Sequence, residues 1–321
     1  MPAGQRIISL LASGTEIVCA LGAGDRLVGR SHECDNPSWV KSLPPCSEPA
    51  FDISVSSRAI DREVNRRIRA GEPLYRIHSE LIRSLAPDLL IAQAHCEVCA
   101  VTPGDLSRGG CEWNGVRVLA LSPFSVEEIF GSIAQVAEAL GAGERGRAVV
   151  ERERERLAQV RRNVAGRRRP AVVMLEWMDP LFAMGNWGPE LVEIAGGELL
   201  LGNRGQHSTA IPTDLLREAD PEFLIVAPCG FSLERALAER AALESLPWWP
   251  ELRAVRAGTV AFADGNLFFN RSGMTISQTA EIIAEILHGG ASESPHWKCS
   301  HWKCTHWKWL NEVGVATASR A

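Results

Sequence analysis

Reactive side chains in this sequence gather just after short apolar runs. His32, Glu33 and Cys34 follow residues 27–30, His95, Cys96 and Cys99 follow residues 88–93, and Cys229 follows residues 223–227. Thiolates and imidazoles are ligands for soft and borderline metal ions. Cys34, Cys96, Cys99 and Cys229 therefore form one candidate metal-binding set, with Cys96 and Cys99 its closest pair. The competing reading is that these thiols only pack, because cysteine is often buried and a lone C-x-x-C also closes loops. Trp177, Trp187, Phe231, Phe268 and Phe269 occupy strand ends or loops too, where they either cover a flat ligand or close the end of a sheet. Backbone amides from Ser13 through Thr15 to Glu16 open a helix and suit amide or carboxylate groups.

No recognised catalytic motif accompanies these residues. Gly141-Ala-Gly-Glu-Arg-Gly146 fits G-x-G-x-x-G, but it separates two helical patterns and follows no strand, so it is not a dinucleotide site. There is no G-x-S-x-G elbow, Walker loop or H-E-x-x-H. The expectation is a binding protein, not an enzyme.

The elements that must position these groups follow from the apolar pattern. The 321 residues are 45% hydrophobic and 23% charged, an ordinary globular composition with material for two cores. Thirty-four Lys and Arg stand against 39 Asp and Glu, a formal net charge of -5, which disfavours a nucleic-acid partner and points to a small-molecule ligand. No stretch approaches the roughly 18 apolar residues of a membrane span. The apolar run at residues 7–11 is cut by Glu16 and followed by no A-x-A-like site, so the expected location is cytoplasmic. Nine cysteines, an odd number, argue for reduced thiols.

Short apolar runs at 6–11, 27–30, 88–93 and 116–122 alternate with helical patterns, as do runs at 171–177, 181–184, 223–227 and 259–263, which reads as two sets of βαβ units. Ser13 with Glu16 and Ser125 with Glu128 are spaced as capping boxes. A very charged helix is expected from about Glu144 to Val164, with Val150, Leu157, Val160 and Val164 on its apolar side. The halves are related: residues 80–91 lie without gaps on 214–225, with five identical positions. The expected organisation is an N-terminal α/β lobe at 1–124, connecting helices at 125–168, a C-terminal α/β lobe at 169–290 and a tail at 291–321. In facing parallel sheets a ligand belongs at the carboxyl ends of the strands, in a cleft between the lobes.

In order and spacing, Arg6-Ile-Ile-Ser-Leu with Ser13-Gly-Thr-Glu16, Leu27-Val-Gly-Arg-Ser-His-Glu-Cys-Asp35, Leu85-Ala-Pro-Asp-Leu-Leu-Ile91, Glu190-Leu-Val-Glu-Ile-Ala-Gly-Gly197 and Asp220-Pro-Glu-Phe-Leu-Ile225 resemble the helical-backbone (class III) substrate-binding proteins of ABC importers. Gln93-Ala-His-Cys-Glu-Val-Cys99, Glu176-Trp177 and Pro228-Cys-Gly-Phe231 resemble the leaderless cobalamin-binding subset of that group. The resemblance implies an α/β fold of two Rossmann-like lobes with parallel sheets, joined by a long backbone helix. It also implies a cobalamin-like corrinoid as ligand, with metal or a metal chelate such as haem or a siderophore as the alternative. It adds Gln93, Glu97, Glu176 and Gly230 to the candidate ligand-binding residues. Exported relatives are periplasmic and present one acidic residue per lobe to a permease, and the matching positions here are Glu80 and Asp214. Phe269-Asn-Arg-Ser-Gly-Met274 departs from the Arg-Pro-Gly-Pro-Arg pattern of the group.

The tail lies outside the resemblance. His296-Trp-Lys-Cys-Ser, His301-Trp-Lys-Cys-Thr and His306-Trp-Lys-Trp form a five-residue repeat whose His and Cys types suit Zn or Cu, but whose spacing leaves almost no chain for a tetrahedral loop. A disordered repeat is expected.

Overall fold

The computed structural model describes residues 4–94, 100–108, 115–289 and 306–312. Internal contacts divide the chain into two units, Met1–Ala158 with Arg271–Ser277, and Gln159–Asn270 with Gln278–Ala321.

The first unit runs β1 (Ile7–Ser9), α1 (Ala12–Ala20), β2 (Leu27–Arg30), β3 (Ser47–Pro49), α2 (Ser57–Ala70), β4 (Tyr75–Ile77), α3 (Ser79–Leu85), β5 (Leu89–Gln93), α4 (Pro103–Arg108), β6 (Arg117–Leu121) and α5 (Val126–Ala139). Its main sheet has the order β2-β1-β5-β6, every pair parallel. β1 and β5 are buried along their whole length, which is why neither alternates, Ser9 and Gln93 being buried polar ends of otherwise apolar runs. Ile8, Leu10, Ile82, Leu90, Val101 and Leu106 pack into one core on this sheet. α6 (Gly143–Val164) follows, and the chain passes from the first unit to the second within it, between Ala158 and Gln159. Its buried apolar residues are Val149, Leu157, Val160 and Val164; Val149 takes the place expected for Val150, which is half-buried.

The second unit contains β7 (Ala171–Met178), β8 (Leu181–Ala183), α7 (Gly188–Ile194), β9 (Glu198–Leu199), β10 (Thr209–Ala210), α8 (Thr213–Ala219), β11 (Phe223–Val226), α9 (Leu233–Ala238), α10 (Ala241–Glu244), α11 (Arg253–Ala257), β12 (Val260–Ala263), most of α12 (Ile276–His288) and β13 (Trp307–Trp309). Its sheet runs β10-β8-β7-β11-β12-β13, with β9 also on β7. β7, β9, β11 and β12 are mutually parallel where they pair, whereas β8, β10 and β13 add antiparallel strands outside them.

The duplication seen in sequence has a structural counterpart in each unit. α3 and α8 both end on a non-glycine residue in the left-handed region, Ala86 (φ 43) and Asp220 (φ 35), and a proline then blocks further helix. The next carboxylates do the same work: Asp88 Oδ2 accepts the Arg6 N–H entering β1 at 2.7 Å, and Glu222 Oε1 accepts the Ala171 N–H opening β7 at 3.2 Å.

Two expectations are corrected. Ser13 and Glu16 are not a capping box: α1 starts at Ala12 with no side-chain cap, because the Glu16 carboxylate is engaged by Arg271 and Asn36 instead. The second box does form, with Ser125 Oγ accepting the Glu128 N–H at 3.2 Å and Glu128 Oε2 accepting the Phe124 N–H at 2.6 Å. The disorder expected of the tail does not hold at its third repeat, since Trp307–Trp309 pairs antiparallel with β12 in the register Ala263↔Trp307 and Ala261↔Trp309. β12 pairs with β11 on its other side, and Trp-Lys-Trp alternates as a half-buried strand requires: Trp307 is buried and Lys308 exposed. No helix among the described residues is long and apolar enough to cross a membrane.

Candidate functional site

In the first unit the carboxyl end of β2 turns sharply, and a polar network fixes the turn. Ser31 N–H donates to Ser9 O at 2.8 Å and Ser31 Oγ accepts the Glu33 N–H at 3.1 Å, while the Thr15 hydroxyl donates to Cys34 Sγ at 3.0 Å. Cys34 is buried, and burial raises its thiol above the ordinary range; burial likewise pushes Cys46 and Cys19 up to about 11. Thiols, not thiolates, therefore prevail here at neutral pH. His32 lies 3.2 Å from Ser47 Oγ through Nδ1 and rests at 5.4 Å on the Tyr75 ring. Burial, helped by Arg30, pushes it down to about 4, so the imidazole is neutral at pH 7.

Beside this turn is a charge cluster that the sequence did not single out. Arg271 Nη1 donates to Glu16 Oε1 at 2.7 Å and Nη2 to Asp35 Oδ1 at 2.6 Å, with Asn36 Nδ2 adding a 3.0 Å bond to Glu16 Oε1. Arg271 and Glu16 are 6% and 3% exposed, so the pair is desolvated. Burial raises the Glu16 carboxyl against the pull of Arg271, and its Oε2 has no hydrogen-bond partner among the described residues. Burial pushes neighbouring Glu33 up to about 7, with Asp35 adding to the rise and Arg271 opposing it. The segment Arg271–Ser277 is tied to the same unit by Ser272 Oγ, 3.3 Å from Ser13 Oγ, and by Ser277, whose hydroxyl donates to the buried Glu153 of α6. Gly273 permits this approach, since a Cβ there would lie 2.9 Å from Ser13 Cβ. The sequence signal was available: Arg271 stands in the loop that departs from its expected pattern, and Glu16 interrupts an apolar helix.

In the second unit Trp177, at the end of β7, meets Phe231 edge-on with ring centroids 5.1 Å apart, and the Arg235 guanidinium lies 3.7 Å over the Phe231 ring. The turn carrying Phe231 is set by Cys229 N–H donating to Glu176 O at 2.9 Å and by Gly230 at φ +74. Trp177 is half-buried, and its indole N–H is buried with no partner among the described residues. Trp187 Nε1 donates to Phe269 O at 3.0 Å, and Trp187, Phe268 and Phe269 are all buried.

The structure thus gathers Ser13, Thr15, His32, Glu33 and Cys34 around one turn, and Glu176, Trp177, Cys229, Gly230 and Phe231 around another. Gln93 ends β5 and is buried, while His95, Cys96, Glu97 and Cys99 lie outside the described residues, as does the metal pair Cys96 and Cys99. No group of three or more His, Cys, Asp or Glu suited to a metal ion occurs among the described residues. Glu80 and Asp214 are exposed at the second position of α3 and α8, equivalent places in the repeat.

These features define a class, a ligand-binding α/β protein of two parallel-stranded units with a continuous helix at the crossing. The chain belongs to the periplasmic binding protein family, whose model matches residues 7–267, and the α6 crossing fits the helical-backbone class. No curated protein matches it in sequence. Among solved structures it is similar to a periplasmic heme-binding protein from Pseudomonas aeruginosa (TM-score 0.68, 22% identity, 90% of this chain and 95% of that one). The periplasmic vitamin B12-binding protein BtuF of Vibrio cholerae has a TM-score of 0.65 at 21% identity, covering 88% and 96%. The periplasmic heme-binding protein BhuT, in complex with two hemes, gives 0.65 at 22% identity, covering 89% and 98%.

Proposed function

We propose that the chain binds a cobalamin-like corrinoid reversibly, as a substrate-binding component for transport, salvage or handling, with strand-end loops supplying the contacts. The observation that carries this reading is Trp177: a half-buried indole at the end of β7, packed edge-on against Phe231, over whose ring Arg235 lies. A partly open flat ring at a strand end suits a large planar ligand. Solved relatives of the fold bind vitamin B12 or heme, so heme is the second reading. Heme iron is held by axial His, Cys, Met or Tyr. Among the described residues the two candidate axial ligands are engaged elsewhere, His32 with Ser47 and Cys34 with Thr15, and a corrinoid, whose cobalt carries its own axial groups, asks for neither.

Parallel calorimetric titrations with cyanocobalamin and hemin test the reading. Saturable cobalamin binding, weakened ~10-fold or more in Trp177→Ala, is expected. Absence of any heat at ~100 µM cobalamin would end it, and a hemin complex with a shifted Soret band would put heme in its place. Glu80 and Asp214 are proposed as permease contacts of an ABC importer. Glu80→Lys with Asp214→Lys should leave ligand affinity intact while ending ligand uptake in cells, and unchanged uptake refutes the assignment.

A further inference from the structure

Ligand binding leaves the C-terminal repeat unexplained, and the family match stops at residue 267. Yet the third copy is built into the second unit, at one particular place. β12 runs into the loop 264–270, which carries Phe268 and Phe269. Where β12 ends, the Asp264 N–H donates to the His306 carbonyl at 2.8 Å, continuing the ladder begun by β13. The His306 ring meets Phe268 edge-on at 4.7 Å. Asp264 then organises the loop, its Oδ1 accepting the N–H groups of Asn266 at 3.0 Å and Leu267 at 2.9 Å. At the far end, Asn270 Nδ2 donates to Ala227 O and Gly265 O, both at 3.0 Å. Between them Phe269 holds φ 43, a conformation that a bulky L residue keeps only when its surroundings enforce it. Trp187 on its carbonyl and the Thr279 hydroxyl on its N–H, at 3.3 Å, are two of those restraints.

We propose that β13 is a positioning strand for this aromatic loop, with His306 as the residue through which it acts. The strand fixes Asp264 by a backbone bond and Phe268 by a ring contact, and so steadies the loop against the Phe231 turn, where the Asn266 N–H donates to Phe231 O at 3.0 Å, and with it the surface offered to ligand. The last step rests on the reading given under Proposed function; the positioning itself does not. A brace of this kind is separable because β13 is only three residues long and pairs at the edge of its sheet.

The test uses the full chain against a truncation after Gly289, which removes all three His-Trp-Lys copies so that none can replace another, and against His306→Ala and His306→Phe. Amide hydrogen exchange across 260–270 is the first readout. Removing the strand should accelerate exchange there by ~10-fold or more while β7 and β11 stay protected, and His306→Phe, which keeps a ring for Phe268, should restore most of the protection that His306→Ala loses. Unchanged exchange in the loop overturns the proposal. Should the truncated chain fail to fold, the His306 pair decides alone. Cyanocobalamin affinity is the second readout: a ~5- to 20-fold loss in His306→Ala, recovered in His306→Phe, supports positioning for ligand, and an unaltered affinity overturns it. If the full chain binds neither cyanocobalamin nor hemin, the functional reading falls, while the exchange result still decides whether the strand positions the loop.

Discussion

Replacing Arg271 by Met should destabilise the first unit strongly and in a pH-dependent way. The guanidinium is 6% exposed and bonds Glu16 Oε1 and Asp35 Oδ1. Asp35 keeps 29% of its side chain in solvent and loses little. Glu16 loses its counter-charge while 3% exposed, retaining one bond from Asn36. Breaking a buried pair from one side costs about 3–5 kcal/mol, or roughly 10 °C in Tm for a unit of this size. The sign with pH follows from Glu16, whose carboxyl is already raised by burial and rises further without Arg271. A raised acid binds its proton more tightly folded than unfolded, so stability is greatest below the unfolded value and declines as pH climbs through the folded one. The deficit should therefore shrink on acidification toward pH 5 and be larger at pH 8. Adding Glu16→Gln removes the stranded charge and should bring the double variant to within about 1 kcal/mol of the parent, because deleting both halves of a buried pair is often nearly neutral. Urea denaturation followed by circular dichroism at pH 5 and pH 8 measures all of this. A single variant within about 0.5 kcal/mol of the parent at pH 8, or a double variant no better than the single, refutes the reasoning.

Glu33, pushed up to about 7 although its side chain keeps 36% of its surface in solvent, should make stability fall only shallowly as pH rises from the ordinary carboxylate range through neutrality, and Glu33→Gln should flatten that slope in the same denaturation series. Ala86→Gly should stabilise by about 0.5–1 kcal/mol, since glycine occupies φ 43 without a Cβ penalty. Asp220→Gly should gain less or lose, because Asp220 Oδ1 also accepts the Arg253 N–H at 2.7 Å; thermal melts of the pair separate the two effects. Iodoacetamide at pH 7.5 should modify half-buried Cys229 well before Cys34 and Cys46, whose thiols are raised by burial, and peptide mapping that finds Cys34 labelled first would contradict this.

Much of the fold was legible because it rests on local pattern. The largely apolar, non-alternating β1, β5 and β11 announced buried parallel strands, the Ser125–Glu128 box marked the start of α5, and residues 80–91 against 214–225 exposed the duplication down to the carboxylates that cap β1 and β7. Of the candidate site, the positions of His32, Glu33 and Cys34 after β2 and of Cys229 after β11 were legible, but the sequence could not say that His32 is neutral or that Trp187 spends its N–H on Phe269 O.

What the sequence determined by itself is the set of elements, their repetition and the residue types at their ends, all of which depend on neighbours a few positions apart. What only the tertiary structure decided are pairings across long stretches of chain: Arg271 with Glu16, Ser277 with Glu153, and the tail's Trp307–Trp309 with β12. The physical reason is that burial fixes the partner of a charge and the occupant of a sheet edge, and burial depends on the whole fold. Ser13 and Glu16 show the difference most plainly, for their spacing fits a helix cap, yet a desolvated arginine 255 positions away from Glu16 holds its carboxylate instead.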